Sequence, residues 1–212
     1  MIGNWINDIN PYADRVILLK KYVFFTNGQI GVDMNVIPTS LKGLLIIEPD
    51  VFKDKRGYFL ETLHQERFQS AGLYANFVQD NLSFSKKGTL RGLHFQITHP
   101  QAKLVQAITG EIFDVAVDIR PGSPTFGKWS GALLSEENKR QLFIPGGFAH
   151  GFCVLSESAH VAYKCSDYYS SEDEGGILWS DPAVAIDWPV KDPTLSEKDQ
   201  QYPCLADLGL QK

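Results

Sequence analysis

The stretch LRGLHFQ, residues Leu90 to Gln96, places an arginine, a glycine and a histidine in a run otherwise suited to a buried strand. An imidazole ordinarily titrates near neutral pH, so a histidine at this position could serve as a general base or as a metal ligand. The guanidinium of Arg91 matches the oxygen geometry of phosphate groups. An isolated histidine of this kind would more often be a core residue with satisfied hydrogen bonds, but Arg91 and Gly92 beside it favour a functional interpretation.

A second stretch, FIPGGFAHGF (Phe143 to Phe152), uses a Pro-Gly-Gly turn to deliver His150 at the start of the next strand. Glycines there allow a tight turn and a close backbone approach to a ligand. The P-x-G-x-x-H spacing resembles the second signature of the cupin superfamily, whose metal-binding members add an H-x-H pair from the first signature. LRGLHFQ has no H-x-H, and two distant imidazoles are a poor ligand set for zinc or iron. We therefore expect no metal.

Short apolar segments separated by Gly, Pro, Asp and Ser must position these residues. One helix is predicted over His64 to Gly72, with Phe68 as its apolar contact and Gly72 as its stop. The regular punctuation of the remaining segments predicts an all-β sandwich or barrel. The predicted strands are LLIIEP, YFLETL, KLVQAIT, EIFDVAVDI, KWSGALL, RQLFIP, HGFCVL, HVAYKC and AIDWP.

Two of these strands, KLVQAIT and EIFDVAVDI, meet at Thr109-Gly110, which predicts a hairpin. In the second strand the alternation of side chains separates two faces. One face is apolar and predicts core, with Phe113, Val115, Val117 and Ile119. The other carries Asp114, Ala116 and Asp118, and it could meet either solvent or a polar cavity.

Composition excludes several classes of protein. The chain has 212 residues, of which 43% are hydrophobic, enough for one well-packed core. The formal net charge of -5 argues against nucleic-acid binding. The three cysteines, Cys153, Cys165 and Cys204, lack CxxC spacing and predict neither a disulfide framework nor a zinc site. The simplest compartment is therefore the reducing cytoplasm.

The N-terminal segment differs from the rest of the chain. Its apolar run VILLKKYVFF, Val16 to Phe25, is interrupted by Lys20 and Lys21 and is too short and too charged to span a bilayer. Met34 then begins MNVIPTSLKGLLIIEP, which looks like a natural protein start. We expect residues 1–33 to be an extension, with an added edge strand as the alternative, and residues 34–212 to form a single domain without membrane attachment.

From about Met34 to Leu205 the chain resembles the dTDP-4-dehydrorhamnose 3,5-epimerase family. The resemblance implies a metal-free cupin jelly roll that works as a homodimer without a cofactor. It also implies inversion of C3 and C5 in a dTDP-4-keto-6-deoxy sugar nucleotide, as in deoxysugar biosynthesis. The segments that carry the resemblance are DKRGYFLE, FVQDNLSFS, LRGLHFQ, AKLVQA, GEIFDVAVDIR, SPTFGKW, IPGGFAHGF, YKCSDYY, EGGILWSDP and LSEKD.

Such a reaction removes a proton from a carbon beside the C4 ketone and returns one to the opposite face. It needs a base, an acid on the other side, and positive charge or donors at the ketone oxygen as this becomes an enolate. The resemblance implies that His94 is the base, with Asp199 of LSEKD as its orienting carboxylate. It implies Lys103 as the enolate-stabilising cation and Tyr163 as the proton donor, with Tyr169 as a second candidate phenol.

The substrate-binding residues implied by the resemblance come from several motifs. Arg56 and Arg91 suit the diphosphate because a guanidinium fork matches phosphate oxygens, although each could instead form a surface ion pair. Gln79 and Asn81 share strand parity and could read thymine or sugar groups, although a polar edge strand would look the same. The full set is Arg56, Glu61, Gln79, Asn81, Arg91, His150, Glu174 and Lys198.

Other functions stay open on the sequence alone. A metal-dependent cupin dioxygenase or isomerase would need a ligand cluster that the chain lacks at the expected motif. A noncatalytic sugar-nucleotide-binding cupin would have no need for His94, Asp199, Lys103 and Tyr163 together. Some relatives epimerise only C3 or only C5, and pocket shape decides which.

The strand LRGLHFQ also raises a geometric problem. Arg91 and His94 are three residues apart, so in a regular strand they would point to opposite faces. The resemblance sends both to one substrate. We therefore predict a bulge, bend or strand start at Gly92, where glycine relaxes the backbone.

Overall fold

The computed structural model describes residues 34–210, so the predicted N-terminal extension lies outside the described residues. In chain order the strands are Met34–Pro38 (β1), Leu45–Pro49 (β2), Val51–Asp54 (β3), Gly57–Leu60 (β4), Gln79–Lys86 (β5), Leu90–Gln96 (β6), Lys103–Thr109 (β7), Glu111–Asp118 (β8), Trp129–Ser135 (β9), Gln141–Ile144 (β10), Phe148–Val154 (β11), Ser158–Cys165 (β12) and Glu174–Gly176 (β13). A helix, Gln65–Ser70 (α1), and a 3-10 helix, Leu205–Leu208, complete the described elements.

The strands form two large antiparallel sheets. The six-stranded sheet has the order β1-β2-β10-β7-β12-β5, and the five-stranded sheet has the order β13-β6-β11-β8-β9. A small separate hairpin pairs β3 with β4. Strands that are distant in sequence are neighbours in both sheets, as in the double-stranded β-helix. The fold is a cupin-type jelly roll, and the all-β prediction is confirmed.

Apolar side chains from both sheets form the core between them. Val105 and Val161 of the six-stranded sheet pack in one cluster with Ile112 and Phe152 of the five-stranded sheet. Burial of such side chains is the main favourable term in folding, at about 25 cal/mol for each Å² of apolar surface. The inter-sheet core therefore fixes the distance between the two sheets, and with it the width of any cavity between them.

Each sheet is also covered on its outer face. On the five-stranded sheet, Ile177, Val184, Trp188 and Leu205 pack over Phe113, Val115 and Val117. On the six-stranded sheet, α1 places Phe68 in a cluster with Leu104 and Phe143. The predicted helix is confirmed, with Phe68 buried and Gly72 in the left-handed region at φ +89°.

The two faces of β8 are now distinguished. Phe113, Val115 and Val117 point outward to the covering C-terminal segment, while Ala116 belongs to the inter-sheet core. Asp114 shares the parity of Ala116, so its carboxylate faces the interior between the sheets, where it is fully buried. The polar face of this strand therefore meets the polar interior and not solvent.

The predicted hairpin at Thr109-Gly110 is wrong. Strand β7 pairs with β10 and β12, whereas β8 pairs with β11 and β9, so the chain crosses from one sheet to the other at this point. Gly110 has φ +75°, and a Cβ there would lie 2.2 Å from the carbonyl oxygen of Ser158. The glycine lets the chain cross between the sheets where another backbone segment lies very close. A glycine between two apolar strands gives the same sequence signal at such a crossover as at a hairpin turn.

The segment AIDWP, predicted as a strand, is irregular in the structure. Ala185 has a positive φ of 52°, and Trp188 packs edge-on against Phe113 with ring centroids 6.1 Å apart. The indole of Trp188 donates a hydrogen bond to the carbonyl oxygen of Trp179 at 2.9 Å. The apolar residues of AIDWP cover the outer face of a sheet without joining a sheet, so the strand prediction for this segment is wrong. The three-residue strand β13, in contrast, was not predicted.

Candidate active site

A cavity of about 220 Å³ opens between the two sheets. Strands of the six-stranded sheet supply one wall, and β6 and β13 of the five-stranded sheet supply the other. The cavity therefore brings together residues that are far apart in the sequence. Its lining residues are Gln79, Asn81, His94, Phe95, Gln96, Gln101, Lys103, Tyr163, Cys165, Tyr169 and Glu174.

The predicted irregularity at Gly92 is confirmed and lies in the wall that carries His94. His94 pairs with His150 and Arg91 pairs with Phe152, so three steps along β6 match two steps along β11. Gly92 has φ +134°, and a Cβ there would lie 2.5 Å from the Cα of Gly151. Only glycine fits this close approach, and the extra residue changes the facing of the side chains on either side of it.

His94 and Asp199 are in direct contact. The Nε2 atom of His94 lies 2.6 Å from Oδ1 of Asp199, whose side chain is 5% exposed. Burial raises the pKa of Asp199, but the hydrogen bond and the charge of His94 outweigh it, and the net pKa lies below its usual value. The ionised carboxylate can only accept, so Nε2 carries the shared proton, and in the neutral form of the ring the lone pair is then on Nδ1. This arrangement suits a general base.

Tyr163 and Lys103 lie on the opposite wall, on neighbouring strands of the six-stranded sheet. The hydroxyl of Tyr163 makes no hydrogen bond within residues 34–210, and burial raises its pKa, which keeps the phenol protonated. Burial lowers the pKa of Lys103, while Cys165, Asp114 and Glu174 oppose that effect. No carboxylate of the described residues forms an ion pair with Lys103. Its nitrogen is therefore free to donate hydrogen bonds to an anion in the cavity.

Glu174 is the centre of a hydrogen-bond network at the rim of the cavity. Its carboxylate accepts hydrogen bonds from Tyr169 at 2.5 Å, from Lys198 at 2.7 Å and from Tyr202 at 3.1 Å. The bond to Glu174 raises the pKa of Tyr169 to about 12. The structure therefore brings three sequence-predicted residues together, Tyr169, Glu174 and Lys198, and connects them to Tyr202, which sequence reasoning missed.

Gln79 and Asn81 line the cavity from β5, the edge strand of the six-stranded sheet. The amide of Gln79 donates to Oδ1 of Asn81 at 2.9 Å and accepts the backbone N–H of Tyr169 at 2.9 Å. The Nδ2 atom of Asn81 lies 3.7 Å from the sulfur of Cys165. The strand is an edge strand and these two polar side chains face the cavity, while their predicted role in reading thymine or sugar groups stays a prediction.

Arg91 and His150 lie close to the cavity without lining it. Arg91 donates through Nε to the hydroxyl of Ser85 at 2.9 Å, and its charge lowers the pKa of Tyr163 against the larger effect of burial. His150 lies behind His94, with Nε2 at 3.0 Å from both carboxylate oxygens of Asp114. Burial lowers the pKa of His150 more than Asp114 raises it. The bulge thus directs the side chain of Arg91 toward the six-stranded sheet, the side on which the cavity lies, although Arg91 does not line the cavity.

Arg56 and Glu61 lie away from the cavity of this chain. Arg56 is on the turn between β3 and β4, where its exposed guanidinium pairs with Asp54. Glu61 follows β4 and pairs with Arg67 of α1 at 2.7 Å. The alternative of a surface ion pair therefore describes Arg56 within one chain, and the predicted binding roles of both residues stay predictions.

Some lining residues were not predicted at all. Gln96 holds the backbone of Ser170 through two hydrogen bonds, and Gln101 donates to the carbonyl oxygen of Asp167 at 2.8 Å. Both amides tie the segment before β13 to the rim. Gln96 shares the parity of His94 two residues away, which is a signal that could have found it. Asp114 and Tyr202 do not line the cavity but contact His150 and Glu174 beside it. Both contacts join segments that are distant in the sequence, so no local pattern reveals them.

Two features of the described residues bear on wider classes of function. Within residues 34–210, no group of three or more His, Cys, Asp or Glu side chains is arranged to hold a metal ion. In the same part of the chain, no helix has the length and apolar character needed to cross a bilayer.

Comparison with known proteins decides the family. A family model described as dTDP-4-dehydrorhamnose 3,5-epimerase matches residues 38–207. The chain belongs to this family. It is 58% identical over 168 residues to the dTDP-4-dehydrorhamnose 3,5-epimerase of Shigella flexneri, with 78% of this chain and 93% of that protein covered.

A solved relative within the 3,5-epimerase family matches the fold as well. It is the dTDP-6-deoxy-D-glucose-3,5-epimerase of Legionella pneumophila in complex with dTDP-4-keto-L-rhamnose, with a TM-score of 0.81 and 53% sequence identity. The match covers 82% of this chain and 94% of that chain. A dTDP-4-dehydrorhamnose 3-epimerase of Streptomyces niveus is 41% identical over 176 residues, with 82% of this chain and 85% of that protein covered. The resemblance inferred from motifs is therefore confirmed at the level of the 3,5-epimerase family.

Proposed function

We propose that the protein is a cofactor-independent isomerase that converts dTDP-4-dehydro-6-deoxy-D-glucose to dTDP-4-dehydro-L-rhamnose. The observation that carries the proposal is the arrangement of one cavity with His94 and Asp199 on one side and Tyr163 and Lys103 on the other. A base and an acid on opposite walls can act on opposite faces of one sugar ring. Membership of the 3,5-epimerase family supports the same reaction.

The first step is removal of a proton from a carbon beside the C4 ketone. Nδ1 of His94 takes the proton, and Asp199 stabilises the imidazolium that forms. The electrons of the broken C–H bond move to the ketone oxygen, where the ammonium of Lys103 stabilises the enolate in a partly dehydrated cavity. A charge-stabilising group of this kind acts on the transition state more than on the bound ketone.

The second step returns a proton to the opposite face of the same carbon. Tyr163 is the donor in this proposal, because its hydroxyl is free to point at the sugar while the hydroxyl of Tyr169 is engaged by Glu174. After donation the phenolate regains a proton from solvent and His94 loses its own. The same cycle at the second carbon completes the conversion of C3 and C5.

The nucleotide part of the substrate would meet the remaining predicted residues. Gln79, Asn81 and Glu174 line the cavity. Lys198 pairs with Glu174, His150 is the cross-strand partner of His94, and the charge of Arg91 acts on Tyr163. The solved relative from Legionella pneumophila, which holds dTDP-4-keto-L-rhamnose, supports a dTDP sugar as the ligand. Arg91 is the cation best suited to the diphosphate within one chain.

We further propose a homodimer in which the hairpin of β3 and β4 reaches the partner's cavity. Arg56 lies on this hairpin, outside the cavity of its own chain, and the hairpin exposes Phe52 and Phe59. Leu82 and Phe84 of β5 are also exposed, and neighbouring apolar groups of this kind mark interaction surfaces. A cytoplasmic location is supported by the three cysteines, all of which are free.

The dimer proposal has a direct test in subunit mixing. Arg56→Gln and His94→Asn proteins should each be nearly inactive, and mixing under exchange conditions should restore activity at about a quarter of the sites. Restoration occurs only if Arg56 of one subunit serves the other subunit's cavity. A mixture that stays as inactive as its parts, with subunit exchange verified by mass, would contradict this arrangement.

A C3-only epimerase is the second candidate, favoured by the similarity to the 3-epimerase of Streptomyces niveus. Incubation of dTDP-4-dehydro-6-deoxy-D-glucose with the protein in heavy water distinguishes the candidates, because each abstraction exchanges one carbon-bound proton. We expect deuterium at both C3 and C5, detected by proton NMR, and a product with both centres inverted. Deuterium at one carbon alone would select a narrower epimerase, and none at either would overturn the proposed function.

A further inference from the structure

We propose that Tyr202 is a positioning residue that fixes the plane of the His94 ring and connects it to the network around Glu174. The inference deepens the proposed function and rests on it, because it assigns His94 the role of base. Tyr202 is not among the residues that line the cavity, and it contacts two that are, His94 and Glu174.

The space for Tyr202 is created by a glycine. Gly176 of β13 is paired directly with His94 of β6 across the sheet. A Cβ at position 176 would lie 2.4 Å from the Cε1 and Cζ atoms of the Tyr202 ring. The tyrosine ring therefore occupies the place where the cross-strand neighbour of His94 would normally put its side chain.

Two contacts hold Tyr202 between the base and the rim. Its ring meets the imidazole of His94 edge to face, with centroids 5.7 Å apart and planes at 63°. Its hydroxyl donates to Oε1 of Glu174 at 3.1 Å. Burial and the neighbouring carboxylates raise the pKa of Tyr202, so the phenol stays a hydrogen-bond donor across the neutral range.

One hydrogen bond cannot fix an imidazole ring. The contact with Asp199 holds Nε2 but leaves the ring free to rotate about that bond, which would turn Nδ1 away from the substrate. An edge-to-face contact removes this freedom and adds about 0.5 to 1.5 kcal/mol beyond area burial. Asp199 and Tyr202 are three residues apart on one turn of the chain, so a single segment supplies both restraints.

Substitutions of Tyr202 separate the ring from the hydroxyl. Tyr202→Leu removes both contacts and should lower kcat for deuterium exchange by about 10- to 100-fold with little change in KM, because misplacement of a reacting group acts on the transition state. Tyr202→Phe keeps the ring and should recover most of kcat. Tyr74→Phe, at a tyrosine that is 79% exposed, is the matched control and should retain wild-type kinetics.

A second variant reaches the same ring from the other side. Gly176→Ala puts a methyl group where the Tyr202 ring lies, so it should displace the ring and lower kcat in the wild-type background. In the Tyr202→Leu background the methyl group has room, so adding Gly176→Ala should lower kcat little further. Equal costs in both backgrounds would show that Gly176 does not act through Tyr202, and would overturn the inference.

A readout without substrate separates failure of this inference from failure of the proposed function. The short hydrogen bond between His94 and Asp199 should give a strongly downfield proton resonance, assigned by its loss in His94→Asn. We expect the resonance in the wild type and Tyr202→Phe, and its broadening in folded Tyr202→Leu, because removal of the Tyr202 ring lets the imidazole move and opens the bonded proton to exchange with solvent. An unchanged resonance in Tyr202→Leu, or wild-type kcat in that variant, overturns the role of Tyr202. Absence of exchange in the wild type overturns the proposed function, while the resonance still decides the positioning of the ring.

Discussion

Two histidine and carboxylate pairs begin from adjacent positions of the five-stranded sheet. His94 and His150 are direct cross-strand partners, and each presents Nε2 to an aspartate. The side chain of His94 is 29% exposed and meets Asp199, whereas that of His150 is 8% exposed and meets Asp114. Similar chemistry therefore occurs in two environments, one open to the cavity and one enclosed by the sheet.

The difference in environment separates two roles. A base must exchange protons with substrate and solvent, so it needs the open position and one free nitrogen, which His94 has. His150 is held neutral by burial, as the lowered pKa shows, and its neutral ring can support its neighbours without adding charge beside Lys103. We infer that the outer pair, His94 with Asp199, does the chemistry. The inner pair, His150 with Asp114, shapes the site around it.

The largest effect should follow from removal of the outer imidazole. His94→Asn should lower the rate of exchange at C3 and C5 by roughly 100- to 10,000-fold, the usual contribution of a general base. Its thermal unfolding should change less than that of Asp114→Asn, because water can reach the carboxylate of Asp199 through the space left by the partly exposed imidazole. Exchange rates from NMR and circular dichroism melts measure the two effects, and retention of exchange would show that the base lies elsewhere.

The carboxylate of the outer pair should come next. Asp199→Asn keeps the size of the side chain but removes the charge that stabilises the imidazolium, so kcat should fall by more than about ten-fold and by less than in His94→Asn. The downfield proton of the pair should also disappear. A variant that kept wild-type kcat would show that Asp199 is dispensable for orienting the ring.

The carboxylate of the inner pair should affect stability more than its outer counterpart. Asp114→Asn leaves a fully buried pair with a weaker and poorly matched hydrogen bond, so the free energy of unfolding should fall by about 1 to 3 kcal/mol. Loss of the Asp114 charge should also lower the pKa of Lys103 further, moving the alkaline limb of activity to lower pH. Urea denaturation and a pH profile test both effects. Equal stability losses in Asp114→Asn and Asp199→Asn would remove the distinction between the two pairs.

The sequence predicted the parts of this arrangement that have a local signal. LRGLHFQ identified His94, and the bulge at Gly92 followed from the family resemblance, which sends Arg91 and His94 to one substrate although a regular strand would point them to opposite faces. The strand EIFDVAVDI revealed two faces but left the environment of Asp114 undecided, since a polar face looks alike against solvent and against a cavity. The hairpin at Gly110 failed for a related reason, as a crossover between sheets needs the same residues as a turn.

Other parts depend on contacts between distant segments. Tyr202 is 108 positions from His94 in the chain, and the two rings meet through tertiary contacts, which include the pairing of Gly176 with His94 and the hydrogen bond between His94 and Asp199. The contact of Asp199 with His94 was implied by family resemblance and not by any spacing. Arg56 shows the opposite limit, because a single chain does not place it near the cavity at all.

The smallest expected effect is the pH dependence contributed by the inner histidine. The folded-state pKa of His150 lies below the unfolded value of 6.5, so in the interval between them the unfolded chain binds more protons. Stability should therefore fall as pH drops below about 6.5, by at most about 1.4 kcal/mol for each pH unit until the folded pKa is reached. His150→Asn should flatten this part of the stability curve, whereas His160→Asn, at a half-buried histidine that contacts Thr109 and no carboxylate in the part of the chain that the structure describes, should preserve it. Urea denaturation between pH 7.5 and 5 would measure this slope of stability against pH. The slope should begin near the unfolded pKa of histidine. If both variants keep the wild-type slope, the inner pair is not held neutral by the fold, and the contrast between the two histidines would have to rest on exposure alone.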